Sequence, residues 1–184
     1  SSRIGETNIV KEGEGYWRIS GACRHRGTTR IEGGTLILNG THSKDKDHTG
    51  TYFTPGQYTV CNGAILAGRG TTEAPVVVLQ GGSIAPGDFA IGTLTSKNNV
   101  TFNAGSHLYM EINRQYKTND KLVCQGKLTT NGTLHIDVVD GKLQAGDVFS
   151  LLSASSYAGT FTSIEPEIPD EGLAWDMSQL FTKG

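Results

Sequence analysis

A glycine-containing turn stands before one short β-favouring run after another along this 184-residue chain. The units read Gly33-Gly34-Thr35-Leu36, Asn62-Gly63-Ala64-Ile65, Gly81-Gly82-Ser83-Ile84, Ala104-Gly105-Ser106-His107-Leu108 and Asn131-Gly132-Thr133-Leu134. In each, a residue able to take positive φ precedes a small or hydroxyl side chain and then an apolar residue that opens a strand. The runs alternate with period two, as in Leu134-His135-Ile136-Asp137-Val138 and Leu108-Tyr109-Met110-Glu111-Ile112. Val76-Val77-Val78-Leu79 is apolar throughout, which predicts a strand covered on both faces. No long segment keeps a helical period, and only 165–180 leaves room for one helical turn. The expected class is therefore all-β. Short strands at 19- to 29-residue intervals cannot each build a core, so they are expected to stack as a β-solenoid. Coils of about 22 residues would number about eight and form a rod about 40 Å long. The competing architectures are a β-sandwich, with Asn131-Gly132 and Asp140-Gly141 as hairpin turns, and a β-helix followed by a small β-domain.

Charge and cysteine narrow the function classes. A net charge of −2 gives no electrostatic reason to bind nucleic acid. No apolar run approaches membrane-spanning length, and no signal peptide or initiator Met is present. The chain reads as a mature or excised piece of a larger protein. Cys23, Cys61 and Cys124 are too few and too far apart for a zinc knuckle or a dense disulfide framework. They read as small buried hydrophobes, with one disulfide between any two of them left open.

Two stretches resemble a known family. Residues 13–40, GEGYWRISGACRHRGTTRIEGGTLILNG, look like a degenerate copy of the autotransporter-associated β-strand repeat. Gly27-Thr28-Thr29 and Gly33-Gly34-Thr35-Leu36 match that repeat closely, while Arg24-His25-Arg26 replaces its usual Asn-Thr-Tyr loop. Residues 81–95, GGSIAPGDFAIGTLT, are similar to the segment that follows such repeats in bacterial autotransporter passengers. The resemblance implies a right-handed parallel β-helix, secreted or at the bacterial cell surface. Residues 1–95 would be passenger-type repeats with an inserted loop at 42–59, 96–164 later coils, and 165–184 a C-terminal cap. Two departures stand out: the insert at 42–59 is longer than the usual turn, and no membrane barrel follows.

Catalytic chemistry finds little support in the residues. Glycosidases need two carboxylates facing each other across a cleft, and Glu111 and Asp137 fall on outward strand faces, where solvent suffices to explain them. No GxSxG is present, and the five histidines show no HxH or HxxxH spacing, so no metal triad is expected. Asp45-Lys46-Asp47-His48-Thr49-Gly50 repeats the first half of a calcium loop, making Asp45, Asp47 and Thr49 weak Ca²⁺ candidates, although Gly56 stands where a bidentate Glu belongs. Arg24, His25 and Arg26 form the only basic cluster, a weak candidate for an anionic glycan. No other cofactor is expected. The sequence thus predicts a non-catalytic extracellular structural or adhesion module that meets a glycan or protein surface. The alternative is an accessory C-terminal module of a secreted polysaccharide-active enzyme. An exposed aromatic row would favour glycan binding, with Tyr52, Phe53, Tyr58 and Tyr109 as its candidates.

Overall fold

A computed structural model describes residues 7–46 and 49–182. Its strands wind into three-faced coils. The first coil consists of β1 (Ile9–Lys11), β2 (Tyr16–Ile19) and β3 (Ala22–Cys23). The second consists of β4 (Thr29–Ile31), β5 (Gly34–Leu38) and β6 (Thr41–His42). A hairpin of β7 (Asp45–Lys46) and β8 (Tyr52–Phe53) then leaves the coil within the predicted insert. The third coil holds β9 (Tyr58–Val60), β10 (Ala64–Gly68) and β11 (Thr71–Thr72), and the fourth β12 (Val76–Val78), β13 (Ser83–Pro86) and β14 (Thr93–Ser96). The later coils hold β15 (Val100–Phe102), β16 (Ser106–Asn113), the short β17 (Thr118–Asn119), β18 (Lys121–Thr130), β19 (Gly132–Asp140), β20 (Leu152–Gly159) and β21 (Ser163–Glu165), with β16, β18, β19 and β20 longer than any earlier strand. Strands β18 and β20 each run from the third face of one coil onto the first face of the next, joining those two faces into one 11-stranded sheet.

Pairing between coils is parallel, which removes the sandwich alternative. The antiparallel pairs between named strands are β7 with β8 and β16 with β17. The coil count differs from the expected eight. On the first face the register runs Ile9, Thr29, Tyr58, Val76, Val100, Leu128, Tyr157, six steps of 18 to 29 residues. Six steps at about 4.8 Å make a rod of about 30 Å, because loops lengthen most coils beyond 22 residues.

The core follows from register. A one-residue slip would turn every inward side chain outward, so stacked apolar residues hold the coils in phase. On the second face Trp17, Leu36, Leu66, Ile84, Leu108, Leu134 and Ile164 form one ladder. Its members from Leu36 to Leu134 are buried. The third face differs, since its inward ladder is Cys23, His42, Thr72, Ser96, Cys124 and Ala154. These polar groups are satisfied inside the coil; Ser96 Oγ, for instance, donates to the Asn98 carbonyl at 3.1 Å. At the corner before the second face, Gly63, Gly81 and Gly105 stack with φ near +73°. Their N–H groups pass from coil to coil, Gly63 to Gly81 at 2.9 Å and Gly81 to Gly105 at 2.8 Å. A left-handed glycine at this corner in three successive rungs is why the turn signal recurs there, whereas Asn131-Gly132 makes its corner without positive φ. Cys23, Cys61 and Cys124 are all free thiols. Among the described residues, no helix is long and apolar enough to cross a membrane.

Candidate functional site

The outer surface of the second face carries a groove of about 740 Å³. Side chains that alternate with the core ladder build its floor. One outward column runs Tyr16, Thr35, Ile65, Ser83, and its neighbour runs Arg18, Ile37, Ala67, Ala85. Further along the rod the outward residues turn polar and aromatic: His107 and Thr133, Tyr109 and His135, Glu111 and Asp137. Small side chains in mid-face leave a trough. The loop after β13 arches over part of it and buries Ile37, an outward residue only 2% exposed. Asp88 anchors that loop by accepting from Arg18 Nη2 at 2.7 Å and Asn39 Nδ2 at 2.7 Å. Those hydrogen bonds, Arg18's first, hold the Asp88 carboxyl below the usual aspartate range.

Phe89, next in the loop, is held at φ 54° with 78% of its surface exposed, and its ring meets Tyr16 edge-on at 5.6 Å. A bulky residue in left-handed backbone is costly, and such outliers gather where a surface is used. Across the groove Tyr109 stacks on His135 at 4.3 Å. His135 Nδ1 faces Glu165 Oε2 at 3.2 Å, and its Nε2 is hydrogen-bonded to His107 Nδ1 at 3.0 Å. Burial lowers the His135 pKa, with Glu165 pulling the other way. The site therefore joins aromatic faces to a chain of hydrogen-bonded polar groups.

Asp120 lies under the groove. Its Oδ1 accepts from Gly92 N at 2.7 Å and its Oδ2 from Glu111 N at 2.8 Å, so it ties the arching loop to β16. Burial pushes its pKa up from 3.8 to about 6, outweighing the two N–H groups that favour the carboxylate. The folded state then binds this proton more tightly than the unfolded chain, so stability falls as pH rises from about 4 to about 6. We expect the stability of wild type relative to Asp120→Asn to drop by about 2 kcal/mol between pH 4 and pH 7. Urea melts across that range check this, and a difference independent of pH would refute it.

The sequence candidates fall elsewhere. Arg26 pairs with Asp45, Nη2 to Oδ2 at 2.7 Å, and its guanidinium covers the Phe53 ring at 3.9 Å. A cation at Asp45 would have to displace Arg26. Thr49 lies in the hairpin turn, its hydroxyl 3.1 Å from that of Thr51, and Asp47 lies outside the described residues. Arg24 is exposed, whereas His25 turns inward and stacks on His42 at 4.0 Å. Burial lowers the His25 pKa to about 4 and lowers that of His42 as well. Of the aromatic candidates, Tyr109 reaches the groove, while Tyr52 and Phe53 sit on the hairpin. Tyr58 is a correction: it is fully buried, because its register with Thr29 and Val76 points it inward. Tyr16 and Phe89 escaped the sequence reading, although Phe89 lies in the very motif, GGSIAPGDFAIGTLT, that marks the arching loop.

Among the described residues, no histidine is hydrogen-bonded to a serine hydroxyl; their ring nitrogens meet Cys23, Thr29, Tyr58, the His25 carbonyl, Glu165 or each other. No protein-family model matches the chain. Two curated proteins are similar to it. Over 182 residues, 94% of this chain, it is 22% identical to an extracellular serine protease of Serratia marcescens. Over 90 residues, 47% of the chain, it is 32% identical to the adhesin BmaC autotransporter of Brucella suis biovar 1 (strain 1330). The aligned regions span 16% of the protease and 2% of the adhesin, so this chain is similar to a small part of each.

Proposed function

We propose that this chain is a non-catalytic β-helix module of a secreted or cell-surface protein, and that it adheres to glycan chains through the groove on its second face. The observation that carries the reading is the placement of Tyr16, Phe89 and Tyr109 along one trough beside His135 and Glu165. Aromatic faces take the C–H face of sugar rings, while histidine and carboxylate groups pair with hydroxyls. The trough crosses several rungs, which suits an extended polymer better than a compact ligand. The two relatives support a secreted or surface location, and the adhesin alone supports the adhesive role. Similarity to a part of a secreted protease also fits the accessory reading, in which the same groove holds substrate near another domain's active site. Glu111 and Asp137 sit side by side in register on adjacent strands, and we assign them to hydroxyl pairing, without turnover.

Affinity electrophoresis of the isolated chain through a panel of neutral and acidic polysaccharides tests this. At least one polymer should retard wild type, without its chain length changing. Tyr109→Ala and Phe89→Ala should each weaken the retention by about 10-fold or more, equivalent to about 1.4 kcal/mol. Retention of neither wild type nor variants across the panel, or shortening of the polymer, would sink the reading.

A further inference from the structure

The third face carries a site of another kind. Cys23 ends β3, His42 ends β6 one rung above it in register, and His25 follows in the loop two residues after Cys23. Ligand atoms of these three side chains all lie within 4.8 Å of one another. Each imidazole spends one ring nitrogen on a hydroxyl: His25 Nε2 meets Thr29 Oγ1 at 2.8 Å, and His42 Nδ1 meets the Tyr58 hydroxyl at 3.0 Å. The opposite nitrogens turn toward the cluster. His25 Nδ1 is 3.0 Å from Cys23 Sγ, and His42 Nε2 donates to the His25 carbonyl at 3.0 Å. Outer hydrogen bonds that fix ring orientation, with the remaining nitrogens gathered beside a thiol, are the arrangement of a metal centre before its ion arrives.

We propose that Cys23, His25 and His42 bind a single Zn²⁺ or a related soft divalent cation. Cys23 would lose its proton and supply the thiolate, His25 Nδ1 and His42 Nε2 the two nitrogens. One sulfur and two imidazoles suit zinc, and oxygen-seeking calcium or magnesium fits them poorly. His42 is fully buried but Cys23 and His25 are half-exposed, so a fourth position stays open to water. The hydrogen bond from His42 Nε2 to the His25 carbonyl gives way when the ion binds: the ring proton passes to Nδ1, which then donates to the Tyr58 hydroxyl, and the Cys23 proton leaves to solvent. Coordination would cross-link the first coil to the second through residues on β3 and β6 that pair in register. This site is separate from the groove and independent of its assignment.

Untagged protein, reduced with a phosphine that does not bind metal, is titrated with Co²⁺ and then with Zn²⁺. One Co²⁺ per chain should bind and give a sulfur-to-cobalt charge-transfer band with tetrahedral d–d intensity, and Zn²⁺ should displace it. Cys23→Ser should abolish the charge-transfer band, and His25→Ala should weaken Zn²⁺ affinity by about 100-fold or more; loss of an outer partner in Tyr58→Phe should weaken it by about 10-fold. His42→Ala could simply misfold, so the half-exposed His25 carries the histidine test. Wild type in which Zn²⁺ also protects Cys23 from alkylation supports the site. Absence of one-to-one binding overturns it, as does a charge-transfer band that survives Cys23→Ser, which would place the metal at another thiol.

Discussion

Deletion of residues 167–184 is expected to lower stability by about 5 kcal/mol or more and to make the protein associate. The last coil supplies the reason. Its inward Tyr157 and the following Phe161 pack on Phe181, with ring centroids 5.8 Å and 6.1 Å apart, and Leu180 is buried in the same core. Leu173, Trp175 and Met177 pack beside them. Removing that cover returns several large side chains to water and uncovers the end rung of a parallel sheet, whose unpaired N–H and C=O groups template other chains. The anchor differs from what side-chain size predicts. Trp175 is only half-buried, its indole Nε1 donating to the Pro166 carbonyl at 2.9 Å, whereas Leu180 is 7% exposed. Leu180→Ala alone should therefore cost roughly 2–4 kcal/mol. Denaturant melts with sedimentation velocity decide the matter. A deletion variant that stays monomeric with an unchanged midpoint would make 165–184 a linker and end the cap proposal.

What could be read from the sequence is what each residue encodes locally. Period-two runs such as Leu108-Tyr109-Met110-Glu111-Ile112 gave the strand and its inward side, and that strand buries Leu108, Met110 and Ile112. The glycine turns gave the corners, where Gly63, Gly81 and Gly105 take left-handed backbone. Coil number depended on loop length, which no local rule sets, and the steps of 18 to 29 residues spread too widely for an average to serve. The same irregularity hid the sites. Cys23 and His42 are 19 residues apart in sequence and adjacent in space only because β3 and β6 pair in register. His107 and His135 meet one rung apart, so a search for close histidine spacing passes over both clusters. Tyr58 misled for the reason Tyr109 did not: the Tyr109 strand declares its two faces over eight residues, but β9 is three residues long.

Gly68 offers the sharpest test of how stacking constrains a single backbone position. It ends β10 with φ 119°, a conformation that residues with a Cβ rarely adopt. A Cβ there would come 2.1 Å from the Leu38 carbonyl oxygen of the coil below. That oxygen cannot retreat, because it accepts from Gly70 N at 2.7 Å and belongs to a fully buried residue. Nor can Gly68 rise, since its N–H and C=O are both bonded to Gly87, at 2.7 Å and 2.8 Å. Gly63 is the matched control: its φ is also positive, at 74°, but a Cβ there meets nothing within 4 Å. Gly63→Ala should cost only the left-handed strain, about 1–2 kcal/mol. Gly68→Ala adds a backbone collision between coils to that strain and should cost at least about 4 kcal/mol. Because Gly87 begins the loop that carries Asp88 and Phe89, the relaxed structure should also lose its edge over the groove, weakening polymer retention as Phe89→Ala does. Paired thermal melts of the two variants read the difference. Equal destabilisation would mean that coil spacing yields at this corner, and that the arching loop is not held by the fit of Gly68 between Leu38 and Gly87.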